Sequence, residues 1–313
     1  NLLGTVTATG NAGFLGTVRV SGATSLEGTL NVTGAATFKS NVSVSGTTKL
    51  LGTVTATGNS GFLGTVRVSG ATSLEGALNT TGAALFSSTV TVVGAGTFKS
   101  NISVSGNLGI AGNVSVGGTL SVTGAVSLAS TLSVGGATNL LSTVTATGNA
   151  GFLGTVRVSG ATSLEGTLNV TGAATFKSNV SVSGTTKLLG TVTATGNSGF
   201  LGTVRVSGAT SLEGALNTTG AALFSSTVTV GGAATFKSNI SVSGNLGIAG
   251  NVSVGGTLFA AGGITYDGNV SVSGNLAVGG NVSVGGTLSV TGAVSLASTL
   301  SVGGATNLLS TVT

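Results

Sequence analysis

Apolar and polar residues alternate along this chain inside a repeating frame of six. From Thr5 to Ser310 the sequence divides into 51 consecutive hexads, with no insertion or deletion inside any of them. Fixed-period self-similarity of this kind marks a repeat architecture. The stretch TVRVSG-ATSLEG, Thr17 to Gly28, shows two such blocks. Positions two and four are mostly Val, Leu, Ile, Ala, Phe or Thr. Position one is Thr, Asn or Ala, position three is usually Ser, Thr, Gly or Asn, and position six is Gly or its substitute Ser (Ser40, Ser88, Ser130). Alternation with period two, rich in Val, Phe and Thr, predicts a half-buried strand. Positions two and four then share the inner face, and three and five the outer.

The charges and aromatics follow the same division. All ten Lys and Arg and all five acids fall on positions three or five, whereas ten of the eleven Phe fall on position four. A Gly at every sixth residue would weaken either a helix or an uninterrupted strand. A strand of about five residues closed by a glycine corner fits better. The expected fold is all-β: a three-sided β-solenoid, or hexapeptide-repeat β-helix, with one hexad per side.

Longer periods are superposed on the hexad. Thr5 to Gly52 returns, modified, as Thr53 to Ser100, and plainer hexads follow to Ser142. Residues 5–142 form a first block and 143–310 a second, which differs chiefly by five extra hexads at 257–286; residues 311–313 begin a third. The expected organisation is one continuous repeat rod over 1–313, cut from a longer protein. Two windings satisfy it. A single chain closes one coil with three hexads, giving 17 coils and about 80 Å at the usual strand spacing. Alternatively, three chains each give one hexad to every layer of a triple-stranded homotrimer about 240 Å long. Position four alternates in size (Ala8, Phe14, Val20, Leu26, Val32, Phe38) and the block lengths are not multiples of three hexads. Both features favour the trimer.

Composition narrows the chemistry. There is no His, Cys, Met, Trp or Pro among the 313 residues. Without Pro, no ladder donor is lost, which suits a chain that is nearly all paired strand. Without Cys there is no disulfide or thiolate metal site. The five carboxylates Glu27, Glu75, Glu165, Glu213 and Asp267 are scattered, so no acid–base pair is close in sequence. One Asp is too few for a calcium-binding repeat. The Gly-rich stretches fall on corners with no helix following, unlike phosphate loops. No enzyme activity, cofactor or metal is expected. The net charge of +5 is spread along the length, as on a solvated face, and no nucleic-acid partner is expected. No apolar run reaches the roughly 20 residues that span a bilayer. Twelve Asn-x-Ser/Thr sequons, Asn31, Asn41, Asn101 and Asn251 among them, follow from the hexad pattern and are read as corner Asn. Thr-Val-Thr at Thr5, Thr53, Thr89 and Thr143 resembles ice-binding arrays, but its copies are too far apart in sequence to stack in adjacent coils.

Outward apolar residues are the candidate contact sites. Leu15, Leu51, Leu63, Leu141 and Leu153 sit at position five, and Phe259 at position three of the extra hexads. Their recurrence in the same hexads predicts a lateral contact face. The extra hexads TLFAAG-GITYDG also hold the only Tyr, Tyr266, and the only Asp, Asp267.

With hexads such as NVSVSG, NLAVGG and TLSVTG, the chain resembles the repetitive shafts of viral tail-fibre and adhesin-like fibrous proteins, and also cell-surface filament and biofilm repeat proteins. The resemblance covers essentially the whole chain and rests on a low-complexity pattern. It implies a rigid, often trimeric, non-catalytic spacer on a virion or in the extracellular space. Host-surface or matrix contact would then lie in domains outside this chain. A self-assembling filament subunit that joins end to end, and an ice- or glycan-binding solenoid, are the other expectations.

Overall fold

The computed structural model describes residues 1–313. The chain divides into two compact units, Asn1–Ser159 and Gly160–Thr313. The division falls inside the second sequence block, not at its start. Each unit is a three-sided β-solenoid with no helix, built from three-residue strands on positions two to four of every hexad. In the first unit these run from Val6–Ala8 to Val156–Val158, and in the second from Thr162–Leu164 to Thr306–Leu308.

The strands are shorter than the five residues expected because the corner takes positions five, six and one. The ladder nevertheless continues past the strand ends. The position-two N–H donates to a position-one carbonyl of the next coil, as in Val18 to Ala35, 2.8 Å. The position-five N–H donates to a position-four carbonyl of the previous coil, as in Glu27 to Ala8, 2.9 Å. These bonds extend the ladder by one residue at each end of the strand.

Within each unit, strands 18 residues apart pair in parallel, as Val18–Val20 does with Ala36–Phe38. Three hexads therefore close one coil. This is the single-chain winding of the three-sided solenoid. The alternation in size at position four is met by this winding too. Because three is odd, an alternation from hexad to hexad is also an alternation from coil to coil along each side. One column of the first unit reads Phe14, Val32, Leu50, Val68, Phe86, Val104. Each bulky side chain lies between smaller ones, so successive coils interdigitate without overpacking.

A second rule operates inside the hexad. Bulky position-four residues accompany small or polar position-two residues, as in Ala36/Phe38, Thr48/Leu50, Ala84/Phe86 and Gly96/Phe98. Smaller position-four residues accompany bulkier partners, as in Leu30/Val32 and Ile102/Val104. Some sides depart from this rule: Leu108/Ile110 and Ile264/Tyr266 are bulky at both positions, and Val54/Ala56 is small at both. Inner positions are buried throughout the middle coils of both units, and outer positions are exposed or half-buried.

The corner glycines are needed for space, not for a left-handed backbone, since no glycine has positive φ. A Cβ on Gly64 would lie 2.4 Å from the Gly46 carbonyl oxygen, and one on Gly28 would lie 2.4 Å from the Gly10 carbonyl carbon. Stacked corners approach too closely for a side chain on every level. Serine is admitted where glycine lies on both adjoining levels: Ser40 between Gly22 and Gly58, Ser88 between Gly70 and Gly106, Ser100 between Gly82 and Gly118.

Candidate functional surface

Two interior voids of about 20 Å³ occur, one lined by Phe38, Ala56, Phe62 and Leu74 and one by Phe176, Ala194, Phe200 and Leu212. Each has room for about one water molecule and apolar walls. No group of three or more His, Cys, Asp or Glu is placed to hold a metal ion. Any binding chemistry belongs to positions three and five and to the corners.

Two kinds of buried polar group do occur. Nine threonine hydroxyls, including Thr24, Thr48, Thr80 and Thr186, are buried without a hydrogen-bond partner. Such groups cost roughly 1–3 kcal/mol each relative to an apolar group of the same shape. Thr48→Val keeps the β-branched shape at a fully buried position, so it should stabilise the fold by about 1 kcal/mol. A higher midpoint of thermal unfolding and slower amide exchange in that coil would show it; a lower midpoint would mean that the hydroxyl has a partner.

The other group is Tyr266. Sequence placed it in the extra hexads together with the outward Phe259, but its ring points inward and is 2% exposed. It stacks between Ile248 and Val284, and its hydroxyl has no partner. Burial raises its ionisation far above the usual 10.0. Below pH 10 the phenol is neutral in both folded and unfolded chains. Above it the unfolded chain releases a proton that the folded chain keeps, so stability falls by about 1.4 kcal/mol per pH unit. Tyr266→Phe should remove this contribution to alkaline destabilisation and add about 1 kcal/mol at neutral pH. Because Tyr266 is the only tyrosine, phenolate absorbance during alkaline titration reads it directly. Ionisation near pH 10 with the fold intact would contradict the burial.

The corners carry an asparagine ladder. The Asn41 Oδ1 accepts from the Asn59 N–H, and the Asn59 Oδ1 accepts from the Ala77 N–H, each at 2.9 Å. The same 18-residue step joins Asn101 to Thr119, Asn107 to Ala125 and Asn251 to Asn269. These side chains close backbone donors that the corner would otherwise leave open. The sequence reading of Asn41, Asn101 and Asn251 as corner residues agrees with this arrangement. Asn31 instead lies outward on a strand.

The six predicted contact residues are all exposed, from Leu51 at 41% to Leu15 at 93%. Leu15, Leu51 and Leu141 follow strands of one side of the first unit, and Leu63 and Leu153 follow strands of another. Leu15 and Leu51 are two coils apart with Thr33 between them, so they are not in one continuous run. Phe259 lies in the second unit beside Ala277, over a shallow groove that also touches Ser295 and Leu296.

The 18-residue register also brings together charges that the hexad frame alone kept apart. Lys49 and Arg67 stand side by side on one outer face of the first unit. Lys187 and Arg205 do the same in the second. Like charges on adjacent strands are unfavourable by a few tenths of a kcal/mol to about 1 kcal/mol. The column containing the first pair reads Asn31, Lys49, Arg67, Leu85, Ser103, with no acid. Around Lys187 and Arg205 lies an open groove of about 470 Å³ formed with Thr185, Thr203, Leu223 and Asn239. Sequence reasoning missed these pairs because it favoured a winding in which residues 18 apart are not neighbours. The signal was present: both cations occupy position three, three hexads apart.

No known family model, curated protein or solved structure matches the chain.

Proposed function

We propose that this chain is a structural shaft or spacer of a fibre on a virion surface or in the extracellular space. The observation that supports this reading best is the unbroken 18-residue register within each unit. Every side is a continuous parallel ladder over an apolar core, so a bend would have to break many backbone bonds together. The outer face carries little chemistry beyond scattered charges and hydroxyls. A scaffold of this kind suits transmission of distance and stiffness better than catalysis. Recognition of a host surface or matrix would belong to domains attached to it, and copies of the chain would associate with one another.

Immunoelectron microscopy of the native source tests the proposal. An antibody raised against this chain should decorate thin, straight fibres on a particle or cell surface. Labelling confined to the cell interior, or to compact particles, would overturn it. Sedimentation of the purified chain, 29.3 kDa as a single copy, separates the modes of association. A fixed mass, whether of one copy or three, fits a shaft segment. Mass that grows without limit as concentration rises would favour the end-to-end filament subunit instead.

A further inference from the structure

We propose that the stacked cation pairs Lys49–Arg67 and Lys187–Arg205 are binding sites for the oxyanion groups, sulfate or carboxylate, of an acidic polysaccharide. The inference does not depend on the shaft reading, because it concerns only the outer face of each unit.

Four observations carry it. The two members of each pair are register partners on adjacent coils, so their backbones are about 4.8 Å apart. Both side chains of each pair are exposed on the same face. One oxyanion can contact both, with Arg donating two parallel hydrogen bonds and Lys acting as a point charge. No carboxylate occupies the neighbouring levels of either column, which read Asn31, Lys49, Arg67, Leu85 and Asn169, Lys187, Arg205, Leu223. The like-charge contact is therefore not relieved within its own face, and a bridging anion would relieve it. Finally, the arrangement occurs twice with the same residue types, 138 positions apart in sequence, and in the second unit it opens into the groove described above.

The surroundings favour a glycan over a nucleic acid. Thr185, Thr203 and Asn239 line the groove and offer hydroxyl and amide groups suited to sugar hydroxyls. No aromatic side chain lines it, so there is no platform for stacking bases. Each pair is also isolated within its column, whereas a nucleic-acid groove tracks consecutive phosphates with a run of cations.

The test uses the full chain and immobilised dextran sulfate, with polygalacturonate as the carboxylate probe and neutral dextran as the blank. One variant carries Lys49→Gln, Arg67→Gln, Lys187→Gln and Arg205→Gln. A second, with the same net charge, carries Lys39→Gln, Lys99→Gln, Lys177→Gln and Lys237→Gln. None of those four lysines is followed by a charged residue on the next level of its corner, where Thr57, Gly117, Thr195 and Gly255 lie. All eight substituted residues point outward, and an unchanged β-type circular dichroism spectrum verifies that both variants fold. The paired variant should lose roughly tenfold or more in affinity for at least one acidic polymer, while the charge-matched variant changes by less than about twofold. The polymer that responds identifies sulfate or carboxylate as the group bound. Equal losses in both variants would mean diffuse attraction and overturn the proposal. So would the absence of binding to either acidic polymer, or single-stranded DNA binding as tightly with the same paired dependence. Inorganic sulfate or phosphate competing at the polymer's own concentration per group would make the ligand a free anion and overturn the polysaccharide assignment.

Discussion

Gly64→Val should disrupt the first unit locally, at a cost of about 3 kcal/mol or more, the upper end for overpacking. The first side-chain carbon would lie 2.4 Å from the Gly46 carbonyl oxygen and 2.6 Å from its carbon. Neither atom can rotate away, because both belong to the backbone of the coil beneath. The corner would have to move outward, stretching the ladder bonds on either side of it, such as Leu63 to Val44 at 2.9 Å and Val66 to Ala83 at 2.9 Å. Two controls separate this from a general cost of replacing glycine. Gly64→Ser adds the same Cβ, which Ser40 and Ser88 show a corner can admit with local adjustment, but only one small atom beyond it in place of two methyl groups, so its cost should be smaller. Gly61→Ala lies on an outer strand position where a Cβ meets nothing nearer than the Val42 carbonyl oxygen at 3.8 Å. It should be neutral or stabilising by about 0.5 kcal/mol. Amide exchange is the appropriate readout, because repeat arrays need not unfold in one step. Protection should collapse around residues 44–48 and 62–66 in Gly64→Val and persist in both controls. Unchanged protection in Gly64→Val would show that the corner has room.

The inner and outer faces were legible in the sequence because each is encoded by local chemistry. Phe at position four and charge at positions three and five identify the buried and solvated faces without any knowledge of what lies opposite. Pairing is different information. A hexad states its own faces but not which other hexad stacks on it, and Phe14, Val32 and Leu50 alternate in size whether neighbours are one hexad apart or three. The stacking of Lys49 on Arg67 became visible only once the register was known. The corner glycines were located correctly, but their physical reason lay in the approach of a neighbouring coil, which no local pattern reports. The exposed leucines show the same limit. Position five puts Leu15 and Leu63 outside, but the side each one occupies depends on the count of hexads around the coil.

The reciprocal volumes of positions two and four lead to the other large effect. Phe98→Ala should cost about 3–5 kcal/mol, the usual range for emptying a buried phenylalanine site. Its ring is 1% exposed, beneath a ladder that holds the backbone in place. Gly96→Val should also be unfavourable when made alone, by about 1–3 kcal/mol. A Cβ at Gly96 would approach the Phe98 Cε2 to 3.1 Å and the Ile110 Cδ1 to 3.0 Å, before the two methyl groups of valine are added. Together, Gly96→Val and Phe98→Ala recreate the pairing of Val54 with Ala56, which the same unit already accommodates as buried inner residues. The double variant should therefore be less destabilised than the sum of the single variants, with a coupling of about 1–2 kcal/mol in the favourable direction. Measured by denaturant titration with amide exchange in the strands around Gly96–Phe98, additivity within about 0.3 kcal/mol would refute volume exchange between the two positions. Favourable coupling would mean that the two inner residues of a hexad are chosen as a pair. The unit that the core constrains is then the side of a coil, which explains how hexads of such different inner residues can share one register.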